Sequence, residues 1–279
     1  MPKAISHSVL PFVLALLVSC SSNDDPVSVE IEPPEGFTLV WNDEFDGGTL
    51  DDARWEAQLG DGCPDLCGWG NSELQFYQAR NATVDDGFLR ITALEEAADD
   101  RQYTSARIRT KGKGDWLYGR IEVRARLPAG QGLWPAIWMM PTDDAYGGWA
   151  ASGEIDIMEA RGQNPRTVLG TLHYGGSFPQ NTSSGASKTL DSGSFTDDFH
   201  VFAIEWDPGR IRWFVDGEPY QTQTEWFTAG HDFPAPFDKR FHLILNVAVG
   251  GNFVGPPDQS TTFPQSMVVD YVRVFRRTE

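Results

Sequence analysis

The sequence predicts an all-β protein, a β-sandwich or jelly roll, and three observations carry that expectation. Short runs of alternating apolar and polar residues recur along the chain, as half-buried strands require. No window sustains a helical period over three turns. Turn-forming residues are dense: there are 28 Gly and 18 Pro in 279 residues, about 16% where ordinary usage is about 12%. From Phe37 to Arg277 there is no repeat, low-complexity tract or second linker. One domain of roughly 240 residues is therefore expected, large but within the range of all-β folds. At 40% hydrophobic and 12% aromatic residues, the chain can bury a full core and is no solvated coil.

The N terminus stands apart from that domain. Lys3 and His7 precede an apolar run, Val9 to Val18, which Pro11 interrupts and which is shorter than the ~20 residues of a membrane span. It reads as an export signal rather than as a buried N-terminal helix or strand. Leu17-Val18-Ser19-Cys20 looks like a bacterial lipobox. On that reading residues 1–19 are a lipoprotein signal peptide, Cys20 is the lipidated residue, and 20–36 form a polar tether. The expected location is that of an exported bacterial lipoprotein, at the outer membrane or cell surface, touching a membrane only through its anchor.

Residues 37–279 hold the expected domain. Cys63 and Cys67 are the cysteines left after Cys20. In an exported chain an isolated pair is most simply a disulfide, here closing a Gly-rich loop. Free thiols or a metal-binding pair are the alternatives, and without nearby His the pair makes a poor zinc site. Phe88 to Leu94 alternates. Leu117 to Leu127 does so more cleanly, with Ile121, Val123, Ala125 and Leu127 on one face and Arg120, Glu122, Arg124 and Arg126 on the other. Val201 to Trp206, His242 to Val249 and Met267 to Phe275 repeat the pattern. Ile211 to Val215 runs into Asp216-Gly217, a hairpin signal. Trp41, Trp206 and Trp213, in strand-like runs, are expected in the core.

Charge narrows the function. Forty acidic against 22 basic residues give a formal net charge of −18. That excludes ordinary nucleic-acid binding, which needs clustered Lys and Arg to neutralise phosphates. Five Lys against 17 Arg suggest that most of the acidity serves solvation. A saline habitat is one expectation, to be tested by whether stability falls as salt is removed.

Chemistry concentrates in Trp149-Ala-Ala-Ser-Gly-Glu154-Ile155-Asp156-Ile157-Met158-Glu159. A strand here buries Ile155 and Ile157 and aligns Glu154 with Asp156 on the other face. Plain alternation would turn Glu159 into the core, where an unpaired carboxylate is very costly. A β-bulge near Ile157–Met158 shifts the phase and returns Glu159 to the acidic face. Glu154 and Glu159 would then lie ~13 Å apart along the strand. Side chains converging on a concave face would leave ~5–6 Å between the carboxyls, against ~5–5.5 Å in retaining glycosidases. Three aligned acids repel one another, and the crowding raises at least one pKa, as a general acid at neutral pH requires. A solvated strand edge or an acidic metal site would carry the same spacing.

Glu154-Ile-Asp156-Ile-Met-Glu159 resembles the active-site strand of glycoside hydrolase family 16, in the bulged form seen in laminarinases (endo-β-1,3-glucanases). Gly132-Leu-Trp134-Pro-Ala-Ile-Trp138-Met-Met-Pro141 is similar to the Trp-bearing strand that precedes it. Gly68-Trp69-Gly-Asn71-Ser-Glu73-Leu-Gln75 resembles a laminarinase-type cleft segment. Asn246 to Asn252 and Val269 to Val274 are similar to the family's late strands. The likeness spans about residues 37–276.

The resemblance implies a concanavalin A-like jelly roll with a concave substrate cleft. It makes Glu154 the nucleophile, Glu159 the acid/base and Asp156 the group that tunes Glu154. The implied activity is endo-cleavage of β-1,3-glucan with retention, by a monomer whose chemistry needs no cofactor. Trp134 and Trp138, four apart on one strand face, suit stacking on sugar rings. Asn71, Glu73, Arg107, His173 and Asn246 are candidate polar contacts, with His173 on the leaving-group side. The family likeness also implies a structural Ca²⁺ on the convex side, held by Glu44, the Gly87 carbonyl and Asp270; oxygen ligands suit that ion. A β-1,3-1,4-glucanase, an algal galactanase and a non-catalytic glucan-binding surface protein are the alternatives. The last would typically lack the three acids.

Overall fold

The computed structural model describes residues 31–278; the predicted signal peptide and Cys20 lie outside that range. The strands run in chain order as β1 (Phe37–Asp43), β2 (Glu56–Gln58), β3 (Gln75–Tyr77), β4 (Ala82–Asp85), β5 (Phe88–Ala98) and β6 (Arg101–Ser105). There follow β7 (Arg107–Arg109), β8 (Gly119–Arg126), β9 (Leu133–Pro141), β10 (Glu154–Ala160), β11 (Thr167–Tyr174) and β12 (Thr182–Thr189). The chain closes with β13 (His200–Asp207), β14 (Arg210–Val215), β15 (Glu218–Gln223), β16 (Phe241–Val249) and β17 (Gln265–Arg277). Among the described residues the only helical pieces are 3₁₀ turns at Cys67–Gly70 and Ala79–Asn81.

Two sheets form. The larger has the order β15-β14-β13-β8-β17-β5-β6-β3, with β1 also on β17 and β4 on β5; the smaller runs β12-β11-β10-β9-β16-β7-β2. Nearly every pairing is antiparallel, β3 with β6 being parallel. The core lies between the sheets. Ile121, Val123, Phe202, Ile204, Trp206 and Trp213 from the larger sheet are buried, as are Ile137, Met139, Ile155, Leu172, Leu243 and Leu245 from the smaller. Trp41 packs against this core from its margin.

The local reasons match the sequence patterns. In β8 the apolar set Ile121, Val123 and Ala125 is fully buried, and Arg120 and Glu122 on the other face are also covered, as an ion pair. Asp216 and Gly217 close the β14–β15 hairpin, both at positive φ (52° and 80°), the backbone that a two-residue turn of this hand requires. Cys63 and Cys67 form a disulfide in the loop before Trp69.

Candidate active site

The site lies on the outer face of the smaller sheet, and β10 carries its acids. Asp156 faces Trp138 of β9, but the next pairs are Met158 with Ile137 and Glu159 with Ala136. One extra residue therefore sits on β10 at Ile157, and the register with β11 slips at the same place. Ile155, Ile157 and Met158 are buried. Glu159 is turned outward and accepts a hydrogen bond from Trp134 Nε1 (3.0 Å). The bulge expected from the cost of burying Glu159 is present.

The three acids have unequal surroundings. Glu154 Oε2 accepts a hydrogen bond from Trp149 Nε1 (2.8 Å). His173 Nε2, across the strand on β11, lies 3.8 Å from Glu154 Oε1 and 3.3 Å from Asp156 Oδ2. Burial raises the Glu154 carboxyl above the ordinary carboxylate range and Asp156 adds to this, while His173, Trp149 and Arg107 oppose it. Glu159 is also raised well above that range, by burial first and then by Asp156 and Glu154, with His173 and Trp134 as its relief. Titratable groups this close share their protons, so the raised titration belongs to the pair. Burial works against a charged His173, but Asp156 and the two glutamates prevail and hold its pKa up to about 9.

Glu154, Asp156 and His173 also present donor atoms within 4.8 Å of one another, the one such trio among the described residues. They are the residues that could hold a metal.

The flanking residues form a connected wall. Trp134 and Trp138 lie half-buried on the outer face of β9, Trp134 tilted against Phe253 with ring centroids 4.9 Å apart. Trp138 Nε1 donates to Asn246 Oδ1 (2.7 Å), and Asn246 Nδ2 donates to Tyr77 (3.2 Å). The Arg107 guanidinium lies 4.7 Å from the Trp138 ring centre and 4.4 Å from that of Trp69, and Arg107 Nε donates to Gln58 (2.7 Å). Glu73 is buried, accepting hydrogen bonds from Gln75 (2.7 Å), Tyr77 (3.1 Å) and Asn71 (3.4 Å). Burial raises its pKa despite Arg107 nearby. Glu73 thus supports the wall from beneath.

Sequence reasoning placed these side chains together but missed others. Trp149, five residues before Glu154, donates its Nε1–H to that carboxylate. Gln75, Tyr77 and Trp69 complete the Glu73 and Arg107 networks. Phe178, largely exposed, continues the aromatic wall, its centroid 6.5 Å from that of Trp149. Trp69, Gln75 and Trp149 lie inside the motif segments, and that position is the signal by which the sequence points to them.

The expected calcium ligands sit at one end of the larger sheet: Asp43 faces Val272, and Leu89 faces Val269. Their carboxylates are already partnered. Arg273 grips Glu44 through two bonds (3.0 and 2.7 Å), and Arg124 pairs with Asp270. As arranged, these residues form ion pairs and do not fit a cation without displacing a guanidinium.

The family model for glycosyl hydrolases family 16 matches residues 70–273. The chain belongs to glycosyl hydrolase family 16. A β-glucanase of Rhodothermus marinus is 43% identical over 96% of this chain and 94% of its own length. A glucan endo-1,3-β-glucosidase A1 of Niallia circulans is 45% identical over 86% of this chain, which spans 38% of that longer protein. The laminarinase catalytic domain of Thermotoga maritima superposes with a TM-score of 0.79 at 42% identity, over 88% of this chain and all of that one. The family 16 chain is thus a glycoside hydrolase with a jelly-roll sandwich fold.

Proposed function

We propose that the protein is an endo-acting β-1,3-glucanase that cleaves laminarin-like polymers with retention of configuration. One observation carries the proposal: the bulge at Ile157 sets Glu154 and Glu159 on one face, beside Trp134 and Trp138, where burial and mutual crowding raise both carboxyls. The relatives' printed activities point the same way.

In the first step a Glu154 oxygen attacks the anomeric carbon, the glycosidic C–O bond breaks, and Glu159 gives its proton to the departing oxygen. A glycosyl ester on Glu154 results. In the second step Glu159, now ionised, takes a proton from water; the hydroxyl bonds to the anomeric carbon, and the ester oxygen leaves as the Glu154 carboxylate. Asp156 and the His173 cation bracket Glu154 and keep its geometry. No cofactor enters the chemistry.

Export with a lipid anchor on Cys20, surface display and a monomeric state belong to the same proposal, supported by the lipobox-like sequence alone. Replacing Cys20→Ala should release the protein from membranes into the soluble exported fraction. Calcium at Glu44, Gly87 and Asp270 is not carried into the proposal, because Arg273 and Arg124 already hold the two carboxylates.

The deciding experiment follows laminarin products over time, with the anomer first released read by proton NMR, beside Glu154→Gln. Mixed-size oligosaccharides with the β-anomer first, and an inactive variant, are expected. An α-anomer first, or binding without reducing-sugar release, would end the reading. Parallel lichenan and agarose assays fix the linkage.

A further inference from the structure

The bulge that aligns the acids has a partner outside its own sheet. Trp213 lies on β14 in the larger sheet and is fully buried. Its Nε1 crosses the sandwich and donates to the backbone carbonyl of Asp156 (2.8 Å), the last residue before the register slips. On β11, Thr171 faces Asp156 and Leu169 faces Glu159, so Gly170 stands opposite the slip. The indole fits there because Gly170 has no side chain. A Cβ at that position would come within 2.4 Å of Trp213 Cδ1 and 2.6 Å of Nε1. The Asp156 carbonyl is thus held from inside the sandwich, while its carboxylate Oδ2 faces His173 Nε2 outside at 3.3 Å without a hydrogen bond.

We propose that Trp213 is a positioning residue for the reaction: by holding the Asp156 carbonyl it fixes the register slip that returns Glu159 to the face of Glu154. A bulge leaves backbone groups out of the ladder, and a buried group so released needs a partner. Here that partner is an indole anchored in the opposite sheet, so the spacing of nucleophile and acid/base is set by the packing of the whole sandwich. The inference rests on the proposed roles of Glu154 and Glu159.

Two variants test it. Trp213→Phe keeps an apolar ring and loses the N–H. Gly170→Ala keeps the indole and evicts it from its notch. Both are assayed on laminarin well below their melting temperatures, beside wild type. A kcat loss of about 10- to 100-fold, the scale of a misplaced catalytic group, is expected with KM unchanged. The alkaline limb of the pH profile should move to lower pH, because carboxylates that drift apart raise one another less. NMR titration of the Glu159 carboxyl should show the same downward movement without needing turnover. A residue that merely fills the core would lower the melting temperature and leave kcat, the pH profile and the Glu159 titration at wild-type values; that result overturns the proposal. Wild-type inactivity on every glucan strikes the proposed function instead, and the Glu159 titration then still decides the role of Trp213.

Discussion

The outer faces of the two sheets treat buried acids in opposite ways. On the larger sheet Glu122, Glu205 and Asp207 are met by arginines. Arg120 bridges Glu122 (2.5 Å) and Glu205 (3.0 Å), Arg212 and Arg277 also reach Glu205, and Arg210 and Arg277 hold Asp207. Burial would raise the Asp207 carboxyl, but those two arginines outweigh it and hold it below its usual value. On the smaller sheet Glu154, Asp156 and Glu159 share one His173, with Arg107 further off, and both glutamates are pushed up. Glu122 and Glu205 on one face and Asp156 on the other are all buried; the supply of cations differs. An acid given a full set of partners stabilises the fold and is chemically inert. An acid left short of partners costs stability and keeps a proton it can donate.

The largest expected effect breaks the comparison at its reactive end. Glu159→Gln should lower kcat by about 10²- to 10⁴-fold, the usual scale for general acid–base catalysis. Its melting temperature at pH 7 should hold or rise. The sign follows from linkage: the folded carboxyl titrates above the unfolded one, so its contribution is full below about pH 4.5 and is lost as pH rises. Glutamine removes that penalty. A fall in melting temperature matching the loss of activity would contradict the assignment.

Glu205→Gln probes the other face. It strips Arg120 and Arg212 of a buried partner and should cost about 3–5 kcal/mol, as for other broken buried pairs, with kcat per folded molecule unchanged. Urea denaturation beside laminarin turnover separates the two readings.

A smaller effect should come from His173→Gln. Without the cation Glu154 ionises less readily, so the acidic limb of the kcat/KM profile should move to higher pH. The starting profile should already be bell-shaped, with both limbs above those of ordinary carboxylates. An acidic limb that stays in place would remove His173 from the role given to it.

The smallest concerns His242 on β16. Burial, helped by Lys111, Arg109 and Arg107 and opposed by Asp115, lowers its pKa to about 4. The unfolded imidazole titrates near 6.5, so the unfolded chain binds the extra proton between those values. Stability from this residue should decline as pH falls from about 6.5 to 4, and His242→Phe should flatten that part of the melting curve.

Much of this was legible in the sequence where local physics sufficed. The alternation in Gly119–Arg126 named its buried face, and Asp216-Gly217 marked its hairpin. The bulge at Ile157 followed from the cost of sending Glu159 into the core. Other features were not legible, because they join distant segments. Glu44 and Asp270 read as cation ligands, yet Arg273, 229 residues from Glu44 in sequence, occupies the first and Arg124 the second. Glu73 read as a surface contact, whereas Gln75 and Tyr77 hold it under the wall. Trp213 read as core, and its packing gave no sign that its N–H would end on Asp156.

The sequence by itself determined which residues alternate, where the turns fall, and that three acids share one face. Those follow from side-chain period and the cost of burying charge, both local. Only the tertiary structure decided which acids receive arginines and which tryptophan reaches the Asp156 carbonyl. Each of those depends on what another strand brings within about 3–4 Å, the range at which hydrogen bonds and ion pairs act.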